Sequence, residues 1–364
     1  MLDYRNPTLL VDDKQSQLEG TIRWKSPSNL AIIKYWGKYG RQYPQNPSIS
    51  FTLDQAITDT QLQFQKRAAS ADDLELEFFF EGQKNEAFRQ KILTFLNGIS
   101  DIFPFLRQFR LRIHSSNSFP HSAGIASSAS SMSALALCLC SMEKQLFGTL
   151  DNEDVFRQKA SYIARLGSGS ACRSVYPVMA IWGENKEVEK GSNDYAIPYD
   201  QEIHETFHHY HDDILIASRG EKSVSSRAGH ALMEGNLYAA NRYEQARQRF
   251  ADLLLALKKG DLEHFGQIAE NEALTLHALM MTSEPSYLLM RPNSLEMIER
   301  VRAYRESTKQ ALYFSLDAGP NLHLLYPDDI KTDVKAFIKS ELLPFCENGE
   351  WIEDQVGQGP KLVF

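Results

Sequence analysis

The sequence predicts an α+β fold divided between two domains, and three observations support this prediction. The chain has 364 residues, which is more than a single hydrophobic core usually serves. Several short stretches alternate apolar and polar residues, as half-buried strands do. Other stretches have apolar residues at helical spacing, and the two kinds do not follow one another in a regular βαβ order.

The first part of the chain is predicted to be rich in strands. Short strands are expected at residues 21–24, 62–64, 74–80 and 109–113. The polar stretch KRAASADD, residues 66–73, is predicted to be a hairpin loop between two of them. Residues 88–99 follow helical spacing, and Asp151 precedes another predicted helix. VYPVMAIW is a predicted buried strand, in which Pro177 favours an edge or a bulge.

Residues 183–202 are hydrophilic and poorly periodic, so they are the predicted junction between the domains. We therefore expect one domain at residues 1–200 and the other at residues 201–364. Beyond the junction, a strand is predicted at residues 214–217. Helices are predicted at residues 226–258, 262–281, 294–306 and 334–343. Two apolar segments, ALYFSL and LHLLY, flank a tight turn with the sequence DAGPN.

The charge and the cysteine content exclude several classes of protein. The net charge of −8 argues against a general nucleic-acid or membrane-surface binder, because such proteins present broad basic faces. The cysteines have no metal-site spacing and suggest no disulfide framework, which fits a reducing compartment. The N-terminal residues lack a basic leader, and no run approaches the length of a transmembrane helix. We expect a cytoplasmic protein.

Residues 119–142, FPHSAGIASSASSMSALALCLCSM, are the stretch around which the predicted site is organised. Gly124 permits a tight turn and a close approach of the backbone to a ligand. Ser127 and Ser128 lie where a helix is predicted to begin, and serine is a preferred capping residue. The free N–H groups of that first turn favour an anion such as a polyphosphate. A capped helix that only packs in the core is the alternative.

Two clusters supply candidate cations. Lys34 and Lys38 in KYWGK would share a face if the segment were helical, and their ammonium groups suit phosphate oxygens. Ser168, Ser170 and Arg173 in LGSGSACRS combine hydroxyl donors with a guanidinium fork, which suits a carboxylate or a phosphate. A solvated basic face and a glycine-rich end of a helix are the respective alternatives.

A third cluster is EKSVSSRAGH, where Ser226 and Arg227 precede a predicted helix and an ordinary serine cap is the alternative. A fourth is SLDAGPN, in which Asp317 follows an apolar strand and stands on a stiff turn. Its carboxylate suits a general base, although an Asx turn without chemistry would have the same sequence.

One segment has the zinc-peptidase pattern His-Glu-x-x-His, formed by His204, Glu205 and His208. In such a peptidase, the histidines bind zinc and the glutamate activates water. The segment lies just past the polar junction, and no downstream residue stands out as a third ligand. A polar helix or loop rich in surface histidines is the favoured interpretation.

Taken in order, the clusters resemble the diphosphomevalonate decarboxylase family. That family belongs to the superfamily of galactokinase, homoserine kinase, mevalonate kinase and phosphomevalonate kinase. The resemblance runs from about residue 26 to the C-terminus. It rests on the motifs NLAIIKYWGK, AGIASSAS, IARLGSGSACRS, SVSSRAG and LDAGPN. It implies a two-domain α+β kinase-like fold with ATP and substrate in a cleft between the domains.

The resemblance also implies a reaction and a set of residue roles. The family uses ATP and Mg²⁺ to phosphorylate the 3-hydroxyl of 5-diphosphomevalonate, and then expels phosphate and CO2 to give isopentenyl diphosphate. By motif position, Asp317 would orient or deprotonate the hydroxyl beside Lys34. Arg173 would hold the carboxylate with Ser168 and Ser170. Further substrate contacts are implied for Asn29, Tyr35, Lys38, Ser226 and Arg227. The ATP phosphates would lie on Gly124, Ser127 and Ser128.

Several positions depart from the family pattern and bear on substrate choice. His121 and Ser122 stand where Thr and Ala are common, Pro177 and Val178 replace two glycines, and His230 replaces a common Met. The alternatives of the same superfamily are a decarboxylase of 5-phosphomevalonate and an enzyme that only phosphorylates the 3-hydroxyl. A nucleotide-binding relative without activity is another alternative. The resemblance also implies a homodimer.

Overall fold

The computed structural model describes residues 3–12, 18–68, 73–120, 125–220 and 224–364. The helices are α1 Glu86–Asn97, α2 Ser127–Phe147, α3 Glu153–Gly167, α4 Ser226–Ala231, α5 Ala239–Lys259, α6 Leu262–Met281, α7 Pro292–Thr308 and α8 Lys331–Phe337. The strands are β1 Glu19–Ala31, β2 Lys38–Tyr39, β3 Tyr43–Pro44, β4 Ser48–Lys66, β5 Glu75–Phe80, β6 Gln83–Lys84, β7 Phe109–Asn117, β8 Met179–Trp182, β9 Ala196–Pro198, β10 His211–Leu215, β11 Tyr313–Ser315, β12 Leu322–Tyr326, β13 Trp351–Ile352 and β14 Lys361–Leu362. The mixture confirms the predicted α+β class in two domains.

The first domain is built on a sheet with the strand order β14-β1-β4-β7-β5-β6. Strand β4 is long enough to pair with β7 along one half and with β8 along the other. Alternating residues of these strands, such as Leu62 and Phe64, face a core shared with helices α2 and α3. The sheet thereby supports β1, which leads directly to the KYWGK segment.

The predicted hairpin at residues 66–73 is wrong. Strand β7 lies between β4 and β5, and β5 pairs with β7 in parallel. Parallel neighbours need a crossover connection, which helix α1 supplies between β5 and β7. Alternation identified both strands but carried no information about which strands are neighbours. Part of the connecting stretch lies outside the described residues.

The second domain contains an antiparallel sheet with the strand order β11-β12-β10-β13. Helices α7 and α8 pack on one face through Phe314, Leu324 and Tyr326. Helices α5 and α6 pack on the other face, where Tyr313 and Leu325 meet their apolar side chains. Helices α6 and α7 occupy the predicted places, whereas β10 begins three residues before the predicted strand and ends two residues before its predicted end.

The prediction of one continuous helix at residues 226–258 is wrong. The stretch at residues 226–258 forms α4 and α5, separated by turns around Gly235, whose φ is +80°. That backbone conformation suits glycine and cannot continue a right-handed helix. The segment KYWGK is also not helical, because β1 ends at Ala31 and Lys38 begins the short strand β2.

The junction stretch contributes a strand of its own, because β9 pairs with β8. The C-terminal residues add one strand to each of the two sheets. Strand β13 pairs with β10, and Leu362 of β14 lies opposite Trp24 of β1. Among the helices of the described residues, none combines the length and apolar character that crossing a membrane requires. Cys138, Cys140, Cys172 and Cys346 are free and buried.

Candidate active site

The two domains meet at an ion pair between Lys34 and Asp317. Lys34 lies three residues beyond β1, and Asp317 lies in the turn between β11 and β12. The Lys34 ammonium donates a hydrogen bond of 2.8 Å to Asp317 Oδ1. The Lys34 side chain is only 2% exposed, whereas that of Asp317 is 20% exposed. One face of the carboxylate is therefore fixed by a buried cation, while the side chain remains accessible to a ligand.

Arg173 is a second buried cation in the same polar region. It belongs to a 3-10 helix, Gly169–Val175, that follows α3. Its guanidinium donates to Ser48 Oγ at 2.5 Å and to Asn29 Oδ1 at 3.3 and 3.4 Å. Burial lowers the pKa of Arg173, and the charge of Asp317 acts in the opposite direction. Arginine nevertheless stays charged in proteins, so the site carries a positive charge next to the Lys34–Asp317 pair.

Asn29 connects Arg173 to the serine-rich loop. Its side-chain nitrogen donates to Ser174 Oγ at 2.8 Å and to the main-chain oxygen of Ser170 at 3.2 Å. Ser168 is the C-cap residue of α3, and its hydroxyl lies 3.2 Å from that of Ser128. The serine loop therefore joins the Arg173 cluster to the start of α2.

Tyr35 lies directly beside this loop. Its ring packs against Trp182 at 4.7 Å and against His230 at 4.4 Å between ring centroids. A Cβ atom at Gly169 would lie 2.7 Å from its hydroxyl, so only glycine fits there. The Tyr35 hydroxyl is buried and makes no hydrogen bond to the part of the chain that the structure describes. Burial raises the pKa of Tyr35, so the hydroxyl stays protonated and can donate a hydrogen bond to an anion.

Lys38 of the first domain lies close enough to Arg227 of the second for their charges to interact. Its ammonium donates to Gln42 Oε1 at 2.9 Å. Burial lowers the pKa of Lys38, and the nearby charge of Arg227 lowers it further. Two like charges held together repel each other, and a polyanion placed between them would relieve that repulsion. The two residues thus form a candidate phosphate site.

Ser226 and Arg227 are exposed in the first turn of α4. The cap of this helix is Ser225, whose hydroxyl accepts from the main-chain nitrogen of Ala228 at 3.2 Å. The serine-cap alternative therefore applies to Ser225 and leaves the Ser226 hydroxyl exposed beside Arg227.

The start of α2 differs in one respect from the expectation. Its cap position is Ala126, in a left-handed conformation and without a side-chain cap. The hydroxyls of Ser130 and Ser131 donate to the main-chain oxygen of Ser127 and thus do not cap the first N–H groups. The main-chain nitrogen of Ala129 donates to the oxygen of Ala126 at 2.7 Å, so an anion would bind to the N–H groups that precede it in the first turn. Gly124, together with His121 and Ser122, lies outside the described residues.

Three residues at the site had no motif in the sequence that marked them. Ser48 contacts Arg173, Glu272 accepts from the main chain of Lys34, and His277 contacts the main chain of Asp317. Each is far in sequence from its partner, so only the tertiary structure brings the groups together. The only sequence signal for Glu272 and His277 was that each is a polar residue on the apolar face of a predicted helix.

The zinc-peptidase pattern forms no metal site in the described part of the chain. Glu205–His209 is a single short 3-10 helix with Phe207 in the core. A zinc-binding His-Glu-x-x-His segment requires an α-helix to bring both histidines to one face. His204 instead forms a hydrogen bond with Thr206, and the described residues contain no cluster of three potential metal ligands.

Two family models together match most of the chain. The diphosphomevalonate decarboxylase-like N-terminal domain matches residues 26–196, and the mevalonate 5-diphosphate decarboxylase C-terminal domain matches residues 213–361. The diphosphomevalonate decarboxylase of Bos taurus is 27% identical over 90% of this chain and 82% of its own length. That of Candida albicans is 29% identical over 85% of this chain and 84% of its own length.

Solved structures give the same result. The mevalonate diphosphate decarboxylase of Staphylococcus aureus has a TM-score of 0.80 and 25% identity, with 95% of this chain and 99% of that chain covered. The enzyme of Enterococcus faecalis has a TM-score of 0.78 and 26% identity at the same coverage. A further solved chain, in complex with MVAPP, AMPPCP and magnesium, has a TM-score of 0.79 and 27% identity and also covers 95% and 99%.

Proposed function

Because this chain belongs to the diphosphomevalonate decarboxylase family, we propose that it converts (R)-5-diphosphomevalonate and ATP to isopentenyl diphosphate, ADP, phosphate and CO2. This is a step of isoprenoid precursor synthesis in the mevalonate pathway. The observation that carries the proposal is the contact between Lys34 and Asp317 across the two domains. This contact supports a reacting carboxylate between the two domains, and Asp317 is close enough to Arg173 to affect the pKa of the guanidinium.

The first step is phosphoryl transfer to the tertiary 3-hydroxyl. Asp317 orients this hydroxyl and accepts its proton as the oxygen attacks the γ-phosphorus of ATP. The new O–P bond forms while the bond to ADP breaks. Lys34 holds the carboxylate in place through its 2.8 Å hydrogen bond and offsets the negative charge of the reacting groups.

The second step is fragmentation. The C3–O bond breaks and phosphate leaves, the C1–C2 bond breaks to release CO2, and the freed electron pair forms the C2–C3 double bond. Arg173 holds the substrate carboxylate in the orientation that this electron flow requires. Among the described residues, its hydrogen-bond partners are neutral oxygens of Asn29 and Ser48, so its charge is directed toward the substrate.

The phosphate groups occupy the two remaining clusters. Tyr35, Lys38, Ser226 and Arg227 surround the 5-diphosphate, and the first turn of α2 with Ser127 and Ser128 receives the ATP phosphates, with Gly124 in the preceding turn. Mg²⁺ usually binds phosphate oxygens and water with few protein ligands, which fits a hydroxyl-lined helix end. When bound, it neutralises charge on the phosphates.

The test is to incubate the purified protein with Mg·ATP and each mevalonate ester while both ADP and CO2 are measured. We expect equal amounts of ADP and CO2 from the 5-diphosphate. ADP without CO2 would identify a 3-kinase, and CO2 from the 5-monophosphate alone would change the substrate. Absence of both products would leave a nucleotide-binding protein without this activity.

Three further properties belong to this proposal. We place the domain boundary near residue 200, between the two matched family models. The free, buried cysteines support a cytoplasmic location. A homodimer stays a prediction, to be tested by measuring the mass of the protein in solution.

A further inference from the structure

We propose that helix α6 positions the reacting pair, with Glu272 fixing the main chain at Lys34 and His277 fixing the main chain at Asp317. The inference rests on the proposed function, since it concerns the residues assigned to phosphoryl transfer. Both side chains act on the main chain of another residue and not on the substrate. They are therefore positioning residues.

Glu272 is a completely buried carboxylate that accepts hydrogen bonds from one main-chain nitrogen and two arginines. The main-chain nitrogen of Lys34 donates to its Oε2 at 2.9 Å. Arg242 donates to both carboxylate oxygens, at 2.8 and 2.5 Å, and Arg249 donates to Oε1 at 2.9 Å. Two guanidinium groups compensate the burial of the charge, and their fork geometry prevents the carboxylate from rotating. Its oxygen is consequently a fixed acceptor for Lys34.

The main-chain carbonyl oxygen of Lys34 also accepts hydrogen bonds. Asn46 donates to it at 3.3 Å, and Arg242 reaches it at 3.5 Å. Both polar groups of the Lys34 main chain thus have partners fixed by neighbouring elements. The long, otherwise flexible lysine side chain begins from a rigid point and ends on Asp317, which restricts the position of its ammonium.

His277 holds the other member of the pair. Its Nε2 lies 3.1 Å from the main-chain oxygen of Asp317. A carbonyl oxygen can only accept, so Nε2 carries the proton and donates it. The main-chain nitrogen of Gly319 donates to the same oxygen at 2.7 Å, which closes the turn. His277 therefore anchors to α6 a turn that is already tight.

The two anchors lie five residues apart on one helix, which corresponds to roughly 7.5 Å along its axis. Lys34 comes from the first domain and Asp317 from the second, so α6 gives both a common rigid reference. A displacement of about 1 Å in a reacting group can reduce a rate by about a hundredfold. Loss of one anchor should therefore reduce kcat more than substrate affinity.

The experiment compares His277→Gln with His277→Asn in the full-length protein. The glutamine amide nitrogen reaches as far as Nε2 of histidine, whereas the asparagine amide is one methylene shorter. With Mg·ATP and 5-diphosphomevalonate, we expect His277→Gln to keep kcat within about threefold of wild type and His277→Asn to lose about 10- to 100-fold, with KM little changed in both. Equal kcat values in the two variants would overturn the proposal.

Glu272→Gln tests the second anchor. Its amide oxygen can still accept from Lys34, but the amide group cannot pair with two guanidinium groups, so we expect both Tm and kcat to fall. The matched control is Glu143→Gln, which removes a buried carboxylate paired with Lys159 at 2.5 Å between α2 and α3. The control should lower Tm and leave kcat unchanged. An equal loss of kcat in both would overturn the proposal, because it would indicate general destabilisation.

The proposed function has its own readout. If the wild-type protein releases neither ADP nor CO2, the function is wrong and no variant is needed to show it. If the wild type is active and His277→Asn matches it, only the role of α6 is wrong.

Discussion

Asp317 combines accessibility with a fixed orientation, which are the two properties that a base for the 3-hydroxyl needs. The buried Lys34 ammonium holds one oxygen, and His277 and Gly319 hold its main-chain carbonyl. In the proposed reaction, the carboxylate would therefore be oriented before the substrate binds, and no further reorganisation would be needed.

Asp317→Asn is expected to abolish turnover while ATP binding stays nearly unchanged. The amide keeps an oxygen for Lys34 but cannot accept the hydroxyl proton, so kcat should fall by at least about 10²-fold. Initial rates of ADP and CO2 release, together with nucleotide titration, measure both quantities. A variant that retains more than about a tenth of the wild-type rate would remove Asp317 from the mechanism.

Arg173→Lys is expected to reduce kcat/KM by about 10-fold or more, because one ammonium cannot replace a planar fork shared among Asn29, Ser48 and a carboxylate. Steady-state kinetics with the 5-diphosphate tests this, and Tm shows whether the fold survives. Full activity would mean that the substrate carboxylate is held elsewhere.

At the scale of elements, helix α4 packs against the KYWGK segment at the proposed diphosphate site. His230 of α4 accepts from the main-chain nitrogen of Gly37 at 3.1 Å, and its ring lies 4.6 Å from that of Trp36. Burial and then the charge of Lys38 lower the pKa of His230 to about 3, so the ring is neutral and can accept. The departure at this position therefore supplies a stronger acceptor for the main-chain nitrogen of Gly37 than a methionine thioether would.

Gly229→Ala is expected to separate these elements. A Cβ atom there would lie 2.5 Å from the Trp36 ring and 2.6 Å from the Tyr287 hydroxyl, so α4 has to move away. We expect KM for 5-diphosphomevalonate to rise by about 10-fold, since Arg227 moves with the helix.

The control for this variant is Gly98→Ala. Its Cβ would meet no atom closer than 3.3 Å, and it lies at the end of α1, outside the proposed site. An unchanged KM in Gly229→Ala would show that the position of α4 does not determine binding of the 5-diphosphate.

At the scale of the whole molecule, Asp354 joins the two sheets. Its carboxylate accepts from the main-chain nitrogens of Asp54, Gln55 and Ala56 near the middle of β4, at 2.7 to 2.8 Å. Its own main-chain nitrogen donates to Asp213 of β10 at 3.2 Å. Burial raises the pKa of Asp213 to about 7 and that of Asp354 to about 6.

These pKa values predict how stability depends on pH. Folded Asp213 keeps its proton up to a pH of about 7, whereas an unfolded aspartate loses it near about 4. The folded state binds more protons in this window, so its stability falls as pH rises from about 4 to about 7. Asp213→Asn removes the titration and keeps an acceptor oxygen for the main-chain nitrogen of Asp354, while its amide nitrogen replaces the carboxylate oxygen that accepts from the Tyr326 hydroxyl.

We therefore expect the Tm of Asp213→Asn relative to wild type to increase across this window and to level off above it. Thermal unfolding of both proteins over a pH series measures the difference. A difference independent of pH would show that Asp213 is ionised throughout.

The amino-acid sequence by itself determined the fold class, most elements and the motifs from which the candidate site is proposed. Residues 262–281 were predicted as a helix with the bounds of α6, because apolar spacing is a local property. The motifs around Lys34, Arg173 and Asp317 also identified chemical groups without any structure, since charge and hydroxyl content are likewise local.

Tertiary structure decided which of these groups meet. It placed β7 between β4 and β5, and it ended the predicted helix before Gly235. It also brought Glu272 to Lys34 across 238 positions of sequence. The physical reason is that strand order and long-range hydrogen bonds depend on the packing of the whole chain, whereas periodicity and residue type report only on near neighbours.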